Sequence, residues 1–436
     1  MSTTARPAVQ PVLGSPDALP RVDGDRLWRA LMTLAQIGAT PKGGVCRLAL
    51  TALDGEARRL VMGWLREAGA TIEIDAIGNI FATRAGRRDV PAIGIGSHID
   101  TQPTGGRFDG NYGVLAGLEL LRTLDTHQIT TEHPITVAIW TNEEGSRFTP
   151  VMMGSGVYAG EFTLEHCLVQ EDLEGIRVAD ALEDIDAAGT AVLPQLSAYF
   201  EPHIEQGPIL EREGRTIGIV TGALGQRWFD ARIIGQDAHA GPTPIEARRD
   251  ALLAAARLVV QVRELALRFP DEARATVGQL LVSPNSRNVV PGQVRLSIDL
   301  RSATSQTLDA MVAALHRATS DIEATDGVSI CLDEVVSFPP CRFDDALVAS
   351  IAQATAQLGY PSRDIVSGAG HDAVHLASVC PSAMIFVPCE NGISHNEIEN
   401  AQPADLEAGA NVLLHAVLAI DGRPSAALEH LPDPAQ

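Results

Sequence analysis

Four stretches of this chain set imidazole or carboxylate at the end of an apolar run: Gly96-Ser97-His98-Ile99-Asp100, Trp140-Thr141-Asn142-Glu143-Glu144, Phe200-Glu201-Pro202-His203 and, beyond Val387, Gly392-Ile393-Ser394-His395. The apolar runs read as buried strands. In open α/β sheets the carboxyl ends of strands converge on one crevice, so residues far apart in sequence can meet there. Imidazole and carboxylate are the donors that hold borderline divalent cations such as zinc, and two cations need a carboxylate to bridge them. Asp109 is the candidate bridge, because the glycine-flanked turn Gly106-Arg107-Phe108-Asp109-Gly110 lets the backbone bend back beside His98. The expected cage is therefore His98, Asp109, Glu144, His203 and His395. A single His-x-Asp or Glu-Glu is more often a satisfied polar cluster or solvated surface; it is their joint occurrence at strand ends that points to a site.

Adjacent Glu143 and Glu144 point in different directions, so one can ligate while the other faces a bound water. We assign Glu144 to metal and Glu143 to the general base, which takes the water's proton and later returns it to a leaving nitrogen. Asp100 is expected to hydrogen-bond the imidazole nitrogen of His98 that does not face metal. His239 lies in the small-residue turn Gly235-Gln236-Asp237-Ala238-His239-Ala240-Gly241, expected to start a long helix and to leave the ring exposed at its tip. Gly370 and His371, in the glycine-rich loop Ser367 to Asp372, are candidate substrate contacts, with a structural role as the alternative for His371. His127, His133, His166, His316, His415 and His430 read as surface or satisfied core residues. For an anionic substrate the candidates are Arg301 and the run Ser286 to Gly292, which contains Arg287 and Asn288, because a guanidinium fork matches a carboxylate. A surface salt bridge is the alternative for Arg287, and Arg107 could serve either way.

The frame that must position these residues reads as α/β. Helical patterns cover Gly24 to Ile37 and, with Asp54 as N-cap, a segment running to Ala68. Strands at 71–75, 79–83 and 92–96, a helix at 114–124 and a strand at 135–140 give the alternation that makes a mostly parallel sheet. From about Gly225 the order changes to strand 228–234, helix 244–267, strands 275–282 and 293–300, helix 305–319 and strand 327–336. That βαββαβ order is ferredoxin-like and marks an inserted domain. Helix 345–358, strand 382–387 and helix 405–420 return to the first. The expected organisation is a disordered tail at 1–21, a catalytic metal-binding domain at 22–224 and 340–425, and a lid and dimerisation domain at 225–339.

At 436 residues the chain is long enough for two cores, and 45% hydrophobic with 20% charged residues is ordinary globular composition. A formal net charge of −22 argues against nucleic acid or anionic lipid as partner. Lys42 is the only lysine, so arginine or metal must capture an anionic substrate. Six cysteines without C-x-x-C spacing read as reduced. No secretory h-region and no span of transmembrane length is evident, which places the protein in the cytoplasm.

Six stretches together, Ile37 to Gly44, Gly96 to Pro103, Asn142 to Phe148, His203 to Pro208, Ser367 to Asp372 and Gly392 to His395, resemble the amidase/hydantoinase/carbamoylase family of dinuclear metallohydrolases. That family includes N-carbamoyl-L-amino-acid hydrolases, β-ureidopropionases and allantoate amidohydrolases, and the resemblance extends from about Gly38 to Ile420. It implies two divalent metal ions per subunit, one on His98, Asp109 and His203, the other on Asp109, Glu144 and His395. Zinc is the first expectation and manganese, cobalt or nickel the alternatives. It also implies a homodimer in which the inserted domain dimerises and closes over the site, with His239 reaching the partner's site to stabilise a tetrahedral oxyanion. Asn288 and Arg301, shared across subunits, would grip the substrate carboxylate, and Gln206 would contact a ureido group. The implied reaction is hydrolysis of the carbamoyl C–N bond of N-carbamoyl β- or L-α-amino acids to amino acid, CO₂ and ammonia. N-carbamoyl-β-alanine, a compound of pyrimidine degradation, leads the substrates. Allantoate amidohydrolase is the alternative; aminoacylase or exopeptidase activity and a catalytically silent binding protein are further ones, the last opposed by the presence of every ligand and of Glu143. Two departures stand out. Pro242 and Ile245 follow His239 where the family commonly has Thr and Met, and His203 stands where peptidase relatives tend to carry an acid, which favours carbamoylase over peptidase chemistry.

Overall fold

The computed structural model describes residues 19–270 and 273–422. Of the expected tail, residues 1–18 lie outside that range, as do His430 and residues 423–425. Pro20 and Arg21 are tied down rather than disordered: the Pro20 carbonyl accepts from His415 Nε2 at 2.9 Å and Arg21 donates to the Tyr360 hydroxyl. The chain divides into two units, one of residues up to Ile219, Asp344–Asp364 and from His371 on, the other Val220–Phe343 with Ile365–Gly370.

In the first unit the strands Ala92–His98, Ile135–Trp140 and Ser382–Val387 are buried along their whole length. Continuous apolar strands of this kind suit a parallel sheet covered on both faces. The sheet runs Thr71–Ile74, Ile80–Arg84, Ile135–Trp140, Ala92–His98, Leu196–Ile204, Ser382–Val387, with Ile217–Ala223 next. Its centre is parallel from Ile135–Trp140 to Ser382–Val387, and the hairpin Thr71–Arg84 adds an antiparallel edge. Helices Asn111–Thr126 and Pro403–Asp421 pack on each other and on the sheet, closing a core that includes Leu115, Leu118, Val412 and Leu413.

Asp54 does not cap its helix. Thr51 does, accepting from the Asp54 N–H, and the helix is Ala52–Glu67. Asp54 is instead buried, accepting from Leu50 N–H and from Arg58 Nε at 2.8 Å, while Arg58 also donates to the Gly78 carbonyl and the Thr141 hydroxyl. Arg58 thereby ties this helix to the strand end that leads into Glu143. Arg58→Met would leave a charged, buried, unpaired carboxylate, and such losses cost about 3–5 kcal/mol. Urea unfolding should show that drop, and Asp54→Asn added to it should recover part of the loss.

The second unit has the order Gly225–Ile234, helix Ala251–Leu267, Ala273–Ser283, Gln293–Ser302, helix Ser305–Asp326, Ser329–Phe338. Its sheet runs Ser329–Phe338, Gly225–Ile234, Gln293–Ser302, Ala273–Ser283, antiparallel throughout, the ferredoxin-like arrangement. The helix expected from Pro244 starts later, at Ala251, where the Asp250 carboxylate accepts from Leu252 and Leu253 N–H. Pro242 and Pro244 push the residues before them out of helical conformation, so only a 3₁₀ turn, Ile245–Ala247, precedes it. His239 therefore does not sit at the helix start; with Ala238 it forms a two-residue strand paired with Val289–Val290. Short elements between 153 and 223, including helices Met153–Tyr158 and Val178–Asp184 and strand Ile217–Ala223, were not anticipated. Helices of one or two turns are too brief to establish a period. Among the described residues no helix is long and apolar enough to cross a membrane, and all six cysteines are free thiols.

Candidate metal centre

His98 is the last residue of its strand and His203 the last but one of Leu196–Ile204, the neighbouring parallel strand, so the sheet itself sets the two imidazoles side by side. Their Nδ1 atoms lie 2.9 Å from the carbonyls of Asp100 and Ile204. A carbonyl can only accept, so each Nδ1 donates to the backbone and each Nε2 is left facing the site. Asp109 Oδ1 stands 3.1 Å from His203 Nε2 and 3.7 Å from His98 Nε2. Its other oxygen, Oδ2, is 3.3 Å from His395 Nε2, which in turn lies 3.3 Å from Glu144 Oε2.

The geometry thus gives two donor sets, His98–Asp109–His203 and Asp109–Glu144–His395, the donor atoms of each within 4.8 Å of one another. Both fit divalent cations by the chemistry of their donors, and Asp109 is common to the two. The approach of the Asp109 turn to His98 depends on Gly110: its φ is +64°, and a Cβ there would come within 2.4 Å of the imidazole. Glu143 Oε2 lies 3.4 Å from His98 Nε2. Glu143 belongs to neither set.

The electrostatics fit the same reading. Burial pushes Asp100 up to about 7, Glu144 to about 8, Glu201 to about 7 and Glu399 to about 7, and neighbouring carboxylates add to each rise. Burial also lifts Glu143 well above the usual carboxylate range, with Asp372, Glu144 and Asp100 reinforcing it. Asp109 is the exception: burial opposes its charge, but hydrogen bonds with His203 and His395 hold it well below its ordinary value. His98, desolvated, falls to about 4. His203 is desolvated too, yet the hydrogen bond with Asp109 lifts it to about 9; the same bond lifts half-exposed His395 to about 9. Bound cations would take the place of the protons that His203 and His395 share with Asp109 and would neutralise the buried acid around them.

Other expected residues fall out variously. The Asp100 carboxylate does not hold the His98 ring: its Oδ1 is 3.7 Å from Nδ1, whereas the backbone carbonyl makes that bond. The carboxylate instead accepts from Glu143 N–H and Glu144 N–H, each at 3.3 Å, and so fixes the turn bearing both glutamates. Two residues from His98 on an extended backbone, the carbonyl reaches the ring before the side chain can. Gln206 donates to Asp109 Oδ2 at 2.9 Å, and its own Oε1 is buried without a partner. His371 is buried, with its ring edge-on to His203 at 4.6 Å and to Phe386 at 5.7 Å, and burial holds it well below its ordinary pKa. Arg107 donates to Asn400 and Met32 and stacks on Phe108, a structural use.

His239, Asn288, Arg301 and Gly370 belong to the second unit. His239 is exposed and its Nδ1 accepts from Gly241 N–H. The Asn288 carbonyl accepts from Ala240 N–H, which ties its loop to that of His239. Arg301 lies inside its strand, its guanidinium on Asp299 at 2.9–3.2 Å and on the Gly368 carbonyl at 2.8 Å.

The contacts of half-buried Gln102 and of buried Arg47 and Glu399 were not expected from the sequence. Gln102 donates its amide to Glu144 Oε2 at 2.8 Å and accepts from the Ser146 hydroxyl. Arg47, fully buried, donates to the carbonyls of Ile99, Leu34 and Ile37 and to Asn111 Oδ1. Glu399 accepts from Phe108 N–H and Asp109 N–H. Each has at least one partner more than 40 residues away, a separation that leaves no local pattern.

Two donor sets sharing Asp109, with the Glu143 carboxyl beside them, are equipped for metal-dependent hydrolysis. Residues 94–419 match peptidase family M20/M25/M40. The chain is 46% identical over 409 residues to an N-carbamoyl-L-amino-acid amidohydrolase of Rhizobium meliloti, covering 93% of this chain and 98% of that one. An allantoate amidohydrolase of Bacillus subtilis is 33% identical over 385 residues, covering 87% and 93%. A crystal structure of a hydantoinase/carbamoylase-family amidase from Burkholderia multivorans superposes with a TM-score of 0.90 at 54% identity, covering 93% and 99%. The chain belongs to the M20/M25/M40 family.

Proposed function

We propose that the protein hydrolyses the carbamoyl group of N-carbamoyl amino acids, with L-α-amino acids as the leading class and β-alanine a further substrate. One observation carries the proposal: two three-residue donor sets share Asp109, and the buried Glu143 carboxyl that belongs to neither stands 3.4 Å from His98. Divalent cations held by His98, Asp109 and His203 and by Asp109, Glu144 and His395 would supply Lewis acidity and ease deprotonation of water. Glu143 accepts the proton of the attacking water. As the C–N bond to the amino acid breaks, it returns that proton to the departing amine. The carbamic acid released decomposes to CO₂ and ammonia. Burial and neighbouring acids raise Glu143 in the cation-free protein, and cations bound beside it would lower it toward the ionised form that a base requires.

Gln206 Oε1, buried and unpartnered, is an acceptor suited to a ureido N–H. Exposed His239 is suited to donate to an oxyanion, and Arg301 and Asn288 to take the substrate carboxylate, with Arg301 exchanging Asp299 for it. Gly370 and His371 remain candidate substrate contacts in this reading, and sharing of second-unit residues across a homodimer is part of it. Allantoate is the second substrate class, motivated by the Bacillus relative.

The test is ammonia release from N-carbamoyl-L-α-amino acids, N-carbamoyl-β-alanine and allantoate, with N-acetyl amino acids assayed by free amine, using stripped protein with and without Zn²⁺ or Mn²⁺. Metal-dependent ammonia from the carbamoyl compounds is expected. Turnover of allantoate alone would move the substrate and keep the chemistry; turnover of N-acetyl amino acids alone would overturn the carbamoyl reading.

A further inference from the structure

The two donor sets are not equally anchored. His98 and His203 sit on central strands, whereas His395 follows the strand Ser382–Val387 by eight residues, has a φ of +52° and a half-exposed side chain. A buried carboxylate, Glu399, ties the His395 loop to the rest of the cage. Glu399 Oε1 accepts from Phe108 N–H at 2.9 Å and Asp109 N–H at 3.1 Å, and Oε2 lies 2.9 Å from the Ser394 hydroxyl. The same hydroxyl is 2.9 Å from Asp109 Oδ2. Space for the carboxylate exists because residue 106 is glycine: a Cβ there would lie 2.0 Å from the Glu399 carboxyl carbon.

We propose that Glu399 is a positioning residue that clamps the Asp109 turn to the loop bearing His395 and so supports the second donor set, Asp109–Glu144–His395, more than the first, whose two histidines are held by central strands. The inference rests on the two-cation reading above. One end of the clamp orients the bridging carboxylate through its own N–H; the other reaches His395 through the preceding residue. Supports of this kind typically change metal affinity by about 10–100-fold. The glutamine variant keeps an acceptor for the two N–H groups and offers an amide N–H to the Ser394 oxygen, whose hydroxyl can then turn to Asp109. Alanine removes both arms.

Stripped full-length protein should be titrated with Zn²⁺ and with Mn²⁺, reading bound ions per chain and the affinity of each by calorimetry and elemental analysis. Wild type should take two ions per chain. Glu399→Ala should weaken the first by no more than a few-fold and the second by about 10–100-fold, and Glu399→Gln should restore the second to within a few-fold. Ser394→Ala, which leaves the two N–H bonds to Glu399 intact but removes the hydroxyl's contacts with both Glu399 and Asp109, should weaken chiefly the second ion and serves if Glu399→Ala does not fold. Equal weakening of both ions, or two ions at wild-type affinity in both Glu399→Ala and Ser394→Ala, overturns the proposal. A wild type that takes one ion overturns the two-cation reading together with it.

Discussion

Asp109→Asn should fold, fail to retain either cation and lose essentially all turnover. Asp109 is the one residue common to both donor sets, so its loss leaves two ligands in each: His98 with His203, and Glu144 with His395. The turn itself should persist. Its N–H groups rest on Glu399 and the Asp109 carbonyl accepts from the Asn111 amide, none of which needs the side-chain charge. Removing that charge even relieves Glu143, Glu144, Glu201 and Glu399, each of which it repels. Against that relief stands the loss of the charge-assisted bonds to His203 and His395 that hold Asp109 ionised, so the metal-free Tm should fall modestly rather than collapse. Added Zn²⁺ should raise the wild-type Tm by mass action and leave the variant's unmoved. Loss of cation catalysis is worth several kcal/mol, so kcat should fall by about 10³-fold or more. A variant that still binds two ions would show that Asp109 is no bridge.

The second large effect separates two adjacent glutamates. Glu143→Gln should keep both ions, change KM little and lower kcat by about 10²–10⁴-fold, the usual contribution of a general acid–base group. Glu143 sits near His98 without entering a donor set, and its nearly isosteric amide cannot accept the water's proton. Glu144→Gln should instead weaken the second ion, because Glu144 Oε2 faces His395. Elemental analysis beside initial rates distinguishes the two. A Glu143→Gln enzyme that turns over at the wild-type rate, or that loses an ion while Glu144→Gln keeps both, would overturn the assignment.

What the sequence determined by itself was the inventory and the frame. Residues at strand ends in parallel α/β architecture share one crevice whatever the loops do, which is why His98, Glu144 and His203 could be grouped from apolar runs alone, and why the βαββαβ insertion was legible from element order. Tertiary structure decided what lies around them. The role of Asp100 turned on whether its carbonyl or its carboxylate reached the imidazole, a matter of one backbone rotation. The start of the helix behind His239 turned on two prolines and the Asp250 cap, where local conformation outweighs apolar periodicity. The contacts of Glu399 with Phe108, of Arg47 with Asn111 and of Gln102 with Glu144 were invisible because they span 291, 64 and 42 residues. A buried hydrogen-bonding group is constrained by neighbours in space, and only folding makes those neighbours.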